Sequence, residues 1–144
     1  MRAAAAIIAT ILISATPAIA RDVRPAEIRE QSFSGSVPAC DDGAVLGHIS
    51  SYFALREFKY WNSPLRIVHF EGVQSVATRP WGLDHIPRRF CSATVLVSDG
   101  VKRRVDFSVR SGLGFAGMGS GVDWCIQGLD RNHAQSPNCR MAQP

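Results

Sequence analysis

Four cysteines place the strongest constraint on how this chain can fold. They are Cys40, Cys91, Cys125 and Cys139. An even number of cysteines favours disulfides in an oxidising compartment, whereas a four-thiolate zinc site usually shows two close C-x2-C pairs. The shortest separation here, from Cys125 to Cys139, is fourteen residues. We therefore predict two disulfides, no metal site and no free thiol nucleophile.

The first twenty residues predict export to such a compartment. Arg2 is their only charged residue, an apolar run covers residues 3–15, and Ala18-Ile19-Ala20 supplies small residues before the expected cleavage point. This order is that of a secretory signal peptide, and the run is shorter than the roughly 20 residues that a membrane-spanning helix needs. We expect cleavage after Ala20 and a mature protein that is periplasmic or secreted, without a transmembrane segment.

The charge balance is only mildly basic. The chain has 16 Lys+Arg and 12 Asp+Glu, a net charge of +4, and removal of residues 1–20 with their one arginine leaves +3 (15 − 12). This is a small charge for a nucleic-acid-binding domain, and nucleic acid is an uncommon partner outside the cytoplasm. The sequence therefore predicts no nucleic-acid partner.

Residues 21–39 predict a flexible leader, because they combine charges and prolines with few large apolar side chains. A single domain is predicted over residues 40–144. Its first element is a helix, since the residues after Asp41-Asp42 show helical apolar spacing at Val45, Leu46, Ile49, Tyr52 and Phe53, and either aspartate can cap the first turn. The helix should span about 14 to 18 residues and end before Pro64.

About four strands are predicted after the helix. The first covers 65–78 with a bend or bulge at Gly72, and the last covers 121–127. One helix followed by mainly antiparallel strands predicts an α+β domain, in which the helix packs on a curved sheet. In its order of elements this outline is similar to the cystatin and nuclear-transport-factor-2 folds. Such scaffolds host many functions, so the fold selects none of them.

The middle two strands are predicted to form a hairpin around Ser98-Asp99-Gly100. A three-residue loop gives Gly100 the positive φ that the turn requires, and it pairs Cys91 with Phe107. In this register Ser92 and Asp106 share the wetter face of the sheet.

The predicted meander also ranks the disulfide pairings. Cys91 and Cys125 lie on strands separated by a third, about 9 to 10 Å apart, whereas a disulfide needs Cα atoms within about 7 Å. A short loop can turn the tail back so that Cys139 meets Cys125. We predict Cys40–Cys91 and Cys125–Cys139, although the sequence alone leaves the other two pairings open.

A basic cluster in a predicted loop, residues 79–89, is the candidate ligand-binding surface. Its members are Arg79, Trp81, Asp84, His85, Arg88 and Arg89. Guanidinium groups beside an aromatic side chain suit an anionic glycan, a lipid headgroup or a periplasmic protein. The competing interpretation is that these arginines cover the sheet and pair with nearby aspartates.

A second candidate contact surface is the glycine-rich segment 112–121, whose residues 112–117 match the GxGxxG pattern. A dinucleotide site requires a helix to begin at the last glycines, and here residues with strand character follow. We therefore predict no nucleotide or other cofactor. The segment is either a ligand lid or a spacer between strands.

The adjacent pair Asp84-His85 supports an alternative function, a small hydrolase or other enzyme, with Asp123 or His133 as further candidates. Sequence neighbours seldom have the geometry in which a carboxylate orients an imidazole, and no matching nucleophile can be named. The sequence therefore favours a non-catalytic binding or interaction module and assigns no catalytic residue.

Several segments carry a family resemblance: Ile-Pro-Arg-Arg-Phe-Cys at 86–91, Ser-Asp-Gly at 98–100, Gly-Leu-Gly-Phe-Ala-Gly at 112–117 and Trp-Cys-Ile-Gln-Gly-Leu-Asp at 124–130. Together with the signal peptide and the four cysteines, they resemble small exported proteins of unknown function from alphaproteobacteria, over residues 40–141. The resemblance implies export and a shared fold. It implies no activity and no site residues.

Overall fold

A computed structural model describes residues 37–79, 86–112 and 119–144. The predicted signal peptide, the leader up to residue 36, residues 80–85 and residues 113–118 lie outside the described residues. The elements are helix α1 (Gly43–Trp61), strands β1 (Ile67–Arg79), β2 (Arg88–Val97), β3 (Lys102–Ser111) and β4 (Ser120–Ile126), and a short 3-10 helix (Arg140–Ala142). The helix packs on a four-stranded sheet, which confirms the predicted α+β class.

Helix α1 begins and ends where the sequence chemistry requires. The Oδ1 atom of Asp42 accepts a hydrogen bond from the Ala44 amide at 2.8 Å, which satisfies one free donor of the first turn. Asn62 adopts the left-handed conformation at φ 46°, and this ends the helix before Pro64. At 19 residues the helix is slightly longer than predicted.

The strands are arranged in the order β1-β2-β3-β4, and each neighbouring pair is antiparallel. Cys91 faces Phe107, and Gly100 has φ 81°, so the predicted hairpin register is confirmed. Gly72 has φ 59° at a register shift in β1, which confirms the predicted bulge. The connection predicted over 79–89 is shorter than expected, because β1 extends to Arg79 and β2 already begins at Arg88.

The core lies between α1 and one face of the sheet. Ile49 and Phe53 on the helix and Val95, Val105 and Phe107 on the strands are fully buried there. The ring of Phe53 meets the Trp124 ring edge-on, with centroids 6.1 Å apart. This apolar layer is the main stabilising contact between the helix and the sheet.

The opposite face of the sheet, here called the outer face, is less exposed to solvent than predicted. Ser92 and Asp106 do share it, but they are only 4% and 2% exposed. The segment after β4 folds back toward this face, and Gln143 donates a hydrogen bond to Oδ2 of Asp106 at 2.9 Å. The C-terminal segment therefore covers polar residues that the hairpin alone would leave in water.

Both predicted disulfides are present. Cys40 is bonded to Cys91 with Cα atoms 5.8 Å apart, and Cys125 is bonded to Cys139 with Cα atoms 5.5 Å apart. The first joins the segment before α1 to β2, and the second holds the C-terminal segment against β4. Within the described residues, no helix combines the length and apolar character that crossing a membrane requires.

Candidate functional site

Three arginines stand side by side on the outer face of the sheet. Arg79 at the end of β1 is the cross-strand partner of Arg88 at the start of β2, and Arg88 is the partner of Arg110 near the end of β3. Backbones of neighbouring strands are about 4.7 to 4.9 Å apart, so side chains paired in this way are in close reach of one another. We call these three residues the arginine row.

The arginine row concentrates like charge, which is unfavourable for directly opposed residues on neighbouring strands. Its middle member is affected from both sides. The pKa of the Arg88 guanidinium is lowered by burial and then by the positive charges of Arg110 and Arg79, while the carboxylate of Asp123 acts in the opposite direction. Arg88 therefore stays charged in a setting that favours an additional anion.

One end of the row is held by a carboxylate. Nη2 of Arg110 donates to Oδ2 of Asp123 on β4. The other oxygen of Asp123 accepts a hydrogen bond from the side-chain amide of Gln135 at 3.2 Å. Nε of Arg110 is buried and has no hydrogen-bond acceptor among the described residues. Asp123 therefore neutralises part of the charge of Arg110 but leaves one of its donors unused.

The middle of the row has no such partner. The Arg88 guanidinium lies 5.4 Å from the centre of the Phe90 ring, a cation–π distance. In the part of the chain that the structure describes, no carboxylate or other acceptor forms a hydrogen bond or ion pair with Arg88. The side chain is half-buried. Its planar set of donors is thus available to an external anion.

The structure brings together some of the predicted ligand-binding residues and separates others. Arg79 and Arg88 share the arginine row. Arg89 points to the opposite face of the sheet, where its Nε donates to the Pro38 carbonyl at 3.1 Å. Trp81, Asp84 and His85 lie outside the described residues.

Arg110 belongs to the site, although the sequence analysis did not select it. The hairpin register that places Cys91 opposite Phe107 also places Arg88 opposite Arg110 when it is continued toward the start of β2. The pairing of Arg88 with Arg110 could therefore have been predicted by continuing the hairpin register along the sequence. Asp123, a candidate residue of the alternative enzyme hypothesis, is paired with Arg110.

The residues of the enzyme hypothesis do not form a recognisable centre in the described structure. His133 lies exposed in a turn, where its backbone amide donates to the Asp130 carbonyl at 3.0 Å. Among the described residues, no group of three or more His, Cys, Asp or Glu side chains is arranged to hold a metal ion. Because Asp84 and His85 lie outside these residues, the hydrolase hypothesis stays a prediction.

A cavity of about 510 Å³ lies at the same end of the sheet. Its described lining consists of Val37, Pro38, Asp42, Ser111, Gly112, Gly119 and Ser120. The one charged side chain in that lining is Asp42, whose carboxylate caps α1. An anion is therefore better accommodated by the arginine row than by this cavity.

Both connections that the sequence marked as contact surfaces start and end beside the arginine row. The first joins Arg79 to Arg88, and the second joins Ser111 to Ser120, whose neighbours Gly112 and Gly119 are linked by a backbone hydrogen bond of 2.8 Å. The row thus lies beside the described ends of both connections.

No family model, curated protein or solved structure matches this chain. The resemblance to exported alphaproteobacterial proteins consequently stays a prediction, and the functional assignment depends on the geometry of the site.

Proposed function

We propose that the protein is an exported, non-catalytic binding module whose arginine row holds a phosphate or carboxylate group of an anionic glycan or a lipid headgroup. One observation carries this proposal: Arg88 is charged and half-buried between two other arginines, and no anionic partner in the described structure occupies its donors. The two disulfides support an oxidising, extracytoplasmic location, periplasmic or secreted.

The chemistry of the row suits an oxyanion. A guanidinium presents parallel N–H donors that match the spacing of two oxygens of a carboxylate or phosphate. An anion that contacts Arg88 also reduces the repulsion between Arg88 and its two neighbours. Partial burial strengthens such a contact, because fewer water molecules screen the charges.

The strands supply a rigid support for these donors. Arg88 and Arg110 are joined through a regular antiparallel ladder that continues without interruption to Leu96 and Lys102. The Cys40–Cys91 disulfide fixes β2 only three residues from Arg88. The donors are therefore held in place before a ligand arrives, which lowers the entropy cost of binding.

Titration calorimetry with polygalacturonate and, separately, with inorganic phosphate tests the proposal and distinguishes a carboxylate from a phosphate ligand. Arg88→Gln should weaken binding about 10- to 100-fold, the range expected when hydrogen bonds to a charged group are lost. Arg66→Gln is the matched control, since it removes the same charge from an exposed position before the opposite end of β1. Equal effects of the two substitutions would reject the row as the site.

A further inference from the structure

Helix α1 exposes large apolar side chains on the side that faces away from the sheet. Tyr52, Leu55 and Phe58 are 53%, 55% and 71% exposed. Successive spacings of three residues place them next to one another on a helix. Trp61, at 37% exposure and three residues after Phe58, extends the apolar surface to the end of the helix. We call these four residues the helix patch.

A contiguous patch of this kind differs from the scattered apolar residues that any surface shows. Phe58 also borders a groove of about 480 Å³, which it lines together with Ala54, Ser63, Pro64, Leu65 and Arg66. The groove continues the apolar surface from the helix into the connection before β1. The helix patch is therefore a candidate interaction surface.

The charges around the helix patch are positive. The Nζ atom of Lys59 lies 5.3 Å from the centre of the Tyr60 ring, and the Arg131 guanidinium lies 5.4 Å from that of Trp61. Arg66 is exposed at the groove. The only acidic residue of α1 itself, Glu57, is fully buried and paired with Arg131, so the excess positive charge at this surface comes from Lys59 and Arg66. The partner of this surface should therefore carry negative charge.

We propose that the helix patch docks on an anionic lipid bilayer surface. Tyrosine, tryptophan and phenylalanine side chains, together with Lys and Arg, are typical of protein surfaces that bind at the boundary between lipid headgroups and acyl chains. The apolar side chains protrude from a convex helix, which suits insertion into a bilayer. A second copy docked through the same patch would bring Lys59 and Arg66 close to the same cations of its partner, an arrangement that like-charge repulsion disfavours.

This docking surface is separate from the arginine row. Helix α1 covers one face of the sheet, and the arginine row lies on the outer face. When the helix patch contacts a bilayer, the arginine row therefore faces the aqueous side and can bind a separate ligand.

Co-sedimentation of the intact protein with phosphatidylcholine vesicles, with and without an equal amount of phosphatidylglycerol, tests this proposal. The protein should bind the anionic vesicles, and added salt should weaken binding because it screens the cations. The double substitution Leu55→Ser/Phe58→Ser should lower the partition coefficient at least about tenfold, since it removes two side chains that enter the bilayer. Both positions are exposed, so near-UV circular dichroism should show an unchanged fold.

Two variants serve as controls. Met141→Ser changes an equally exposed apolar residue, 68% accessible, in the 3-10 helix and should leave vesicle binding unchanged. Lys102→Gln removes an exposed cation, 58% accessible, from the outer face and outside the arginine row, and should also leave vesicle binding nearly unchanged. Equal partition of the parent protein and the double variant would overturn the proposal. A dimer in sedimentation equilibrium that the double variant dissociates would also overturn it, because a second copy would then cover the patch.

Discussion

Nη2 of Arg131 lies 3.0 Å from Oε2 of Glu57, and Glu57 is fully buried against the sheet. In the described structure neither carboxylate oxygen of Glu57 accepts a well-aligned hydrogen bond. The positive charge of Arg131 therefore compensates the buried negative charge of Glu57. The pair connects α1 to the segment after β4. A buried carboxylate that loses its cation lowers the free energy of unfolding, whereas apolar residues in place of both partners are often tolerated.

Arg131→Met should lower the free energy of unfolding by about 3 kcal/mol, the lower end of the range for a broken buried pair, because a third of the Arg131 side chain is exposed. The double variant Glu57→Met/Arg131→Met should recover most of this loss. Urea denaturation measures both. A double variant that is less stable than Arg131→Met alone would show that Glu57 stabilises the core through other contacts.

The C-terminal segment should be stabilised by the carboxylate of Asp106. Its oxygens accept hydrogen bonds from Arg104 Nε at 2.8 Å, from Gln143 at 2.9 Å and from Gln127 at 3.4 Å. Gln143→Ala removes one donor to a buried charge and should cost about 1.5 kcal/mol in urea denaturation. Met141→Ala, an exposed neighbour, is the control and should change stability by less than about 0.5 kcal/mol. Equal stability of both variants would mean that the segment is held without Gln143.

Acid should weaken the β2–β3 turn through Asp99. Hydrogen bonds from the Arg103 side chain, followed by that from the Val101 amide, lower the pKa of Asp99 from 3.8 to about 2. Because the folded-state pKa is depressed, this contribution is present above pH 3.8 and is lost as the pH falls through about 2. Asp99→Asn should therefore reduce the loss of stability between these two pH values.

Carbon-13 NMR titration measures the Asp99 carboxyl directly. The parent protein should give a pKa of about 2, and Arg103→Gln should move it toward 3.8 because the largest stabilising contact is gone. A parent value near 3.8 would contradict the hydrogen bonding seen at this turn.

Features set by local chemistry were predictable from the sequence. A helix cap from Asp41 or Asp42 was predictable, because an aspartate before an apolar helical stripe supplies the acceptor that the first amides lack. Gly100 and the apolar alternation around it determined the hairpin register, and that register made the meander and hence both disulfides predictable. Each of these inferences needed only neighbouring residues or one strand spacing.

Features that depend on distant segments were not predicted. The spacing of Val45, Ile49 and Phe53 continues to Glu57, but only the position of Arg131 explains why a glutamate can occupy that buried place. Asp106 was expected on a wet surface, because its burial depends on where the C-terminal segment packs.

The arginine row was predictable in part. Arg79 and Arg88 were selected on charge alone, together with Arg89. Adjacent residues of a strand point to opposite faces, so Arg88 and Arg89 separate once β2 begins at Arg88. Both arginines had been predicted in a loop, where this alternation does not apply, and for the same reason the hairpin register was not continued to Arg110.

The affinity for polygalacturonate of the parent protein, Arg88→Gln and Asp123→Asn, measured side by side by calorimetry, tests the proposed anion site most directly. Asp123 competes with an external anion for Arg110, so Asp123→Asn should tighten binding, whereas Arg88→Gln should weaken it. Opposite effects of these two variants would support an anion held by the arginine row. If both variants weaken binding, or if neither changes it, the arginine row is not the ligand site.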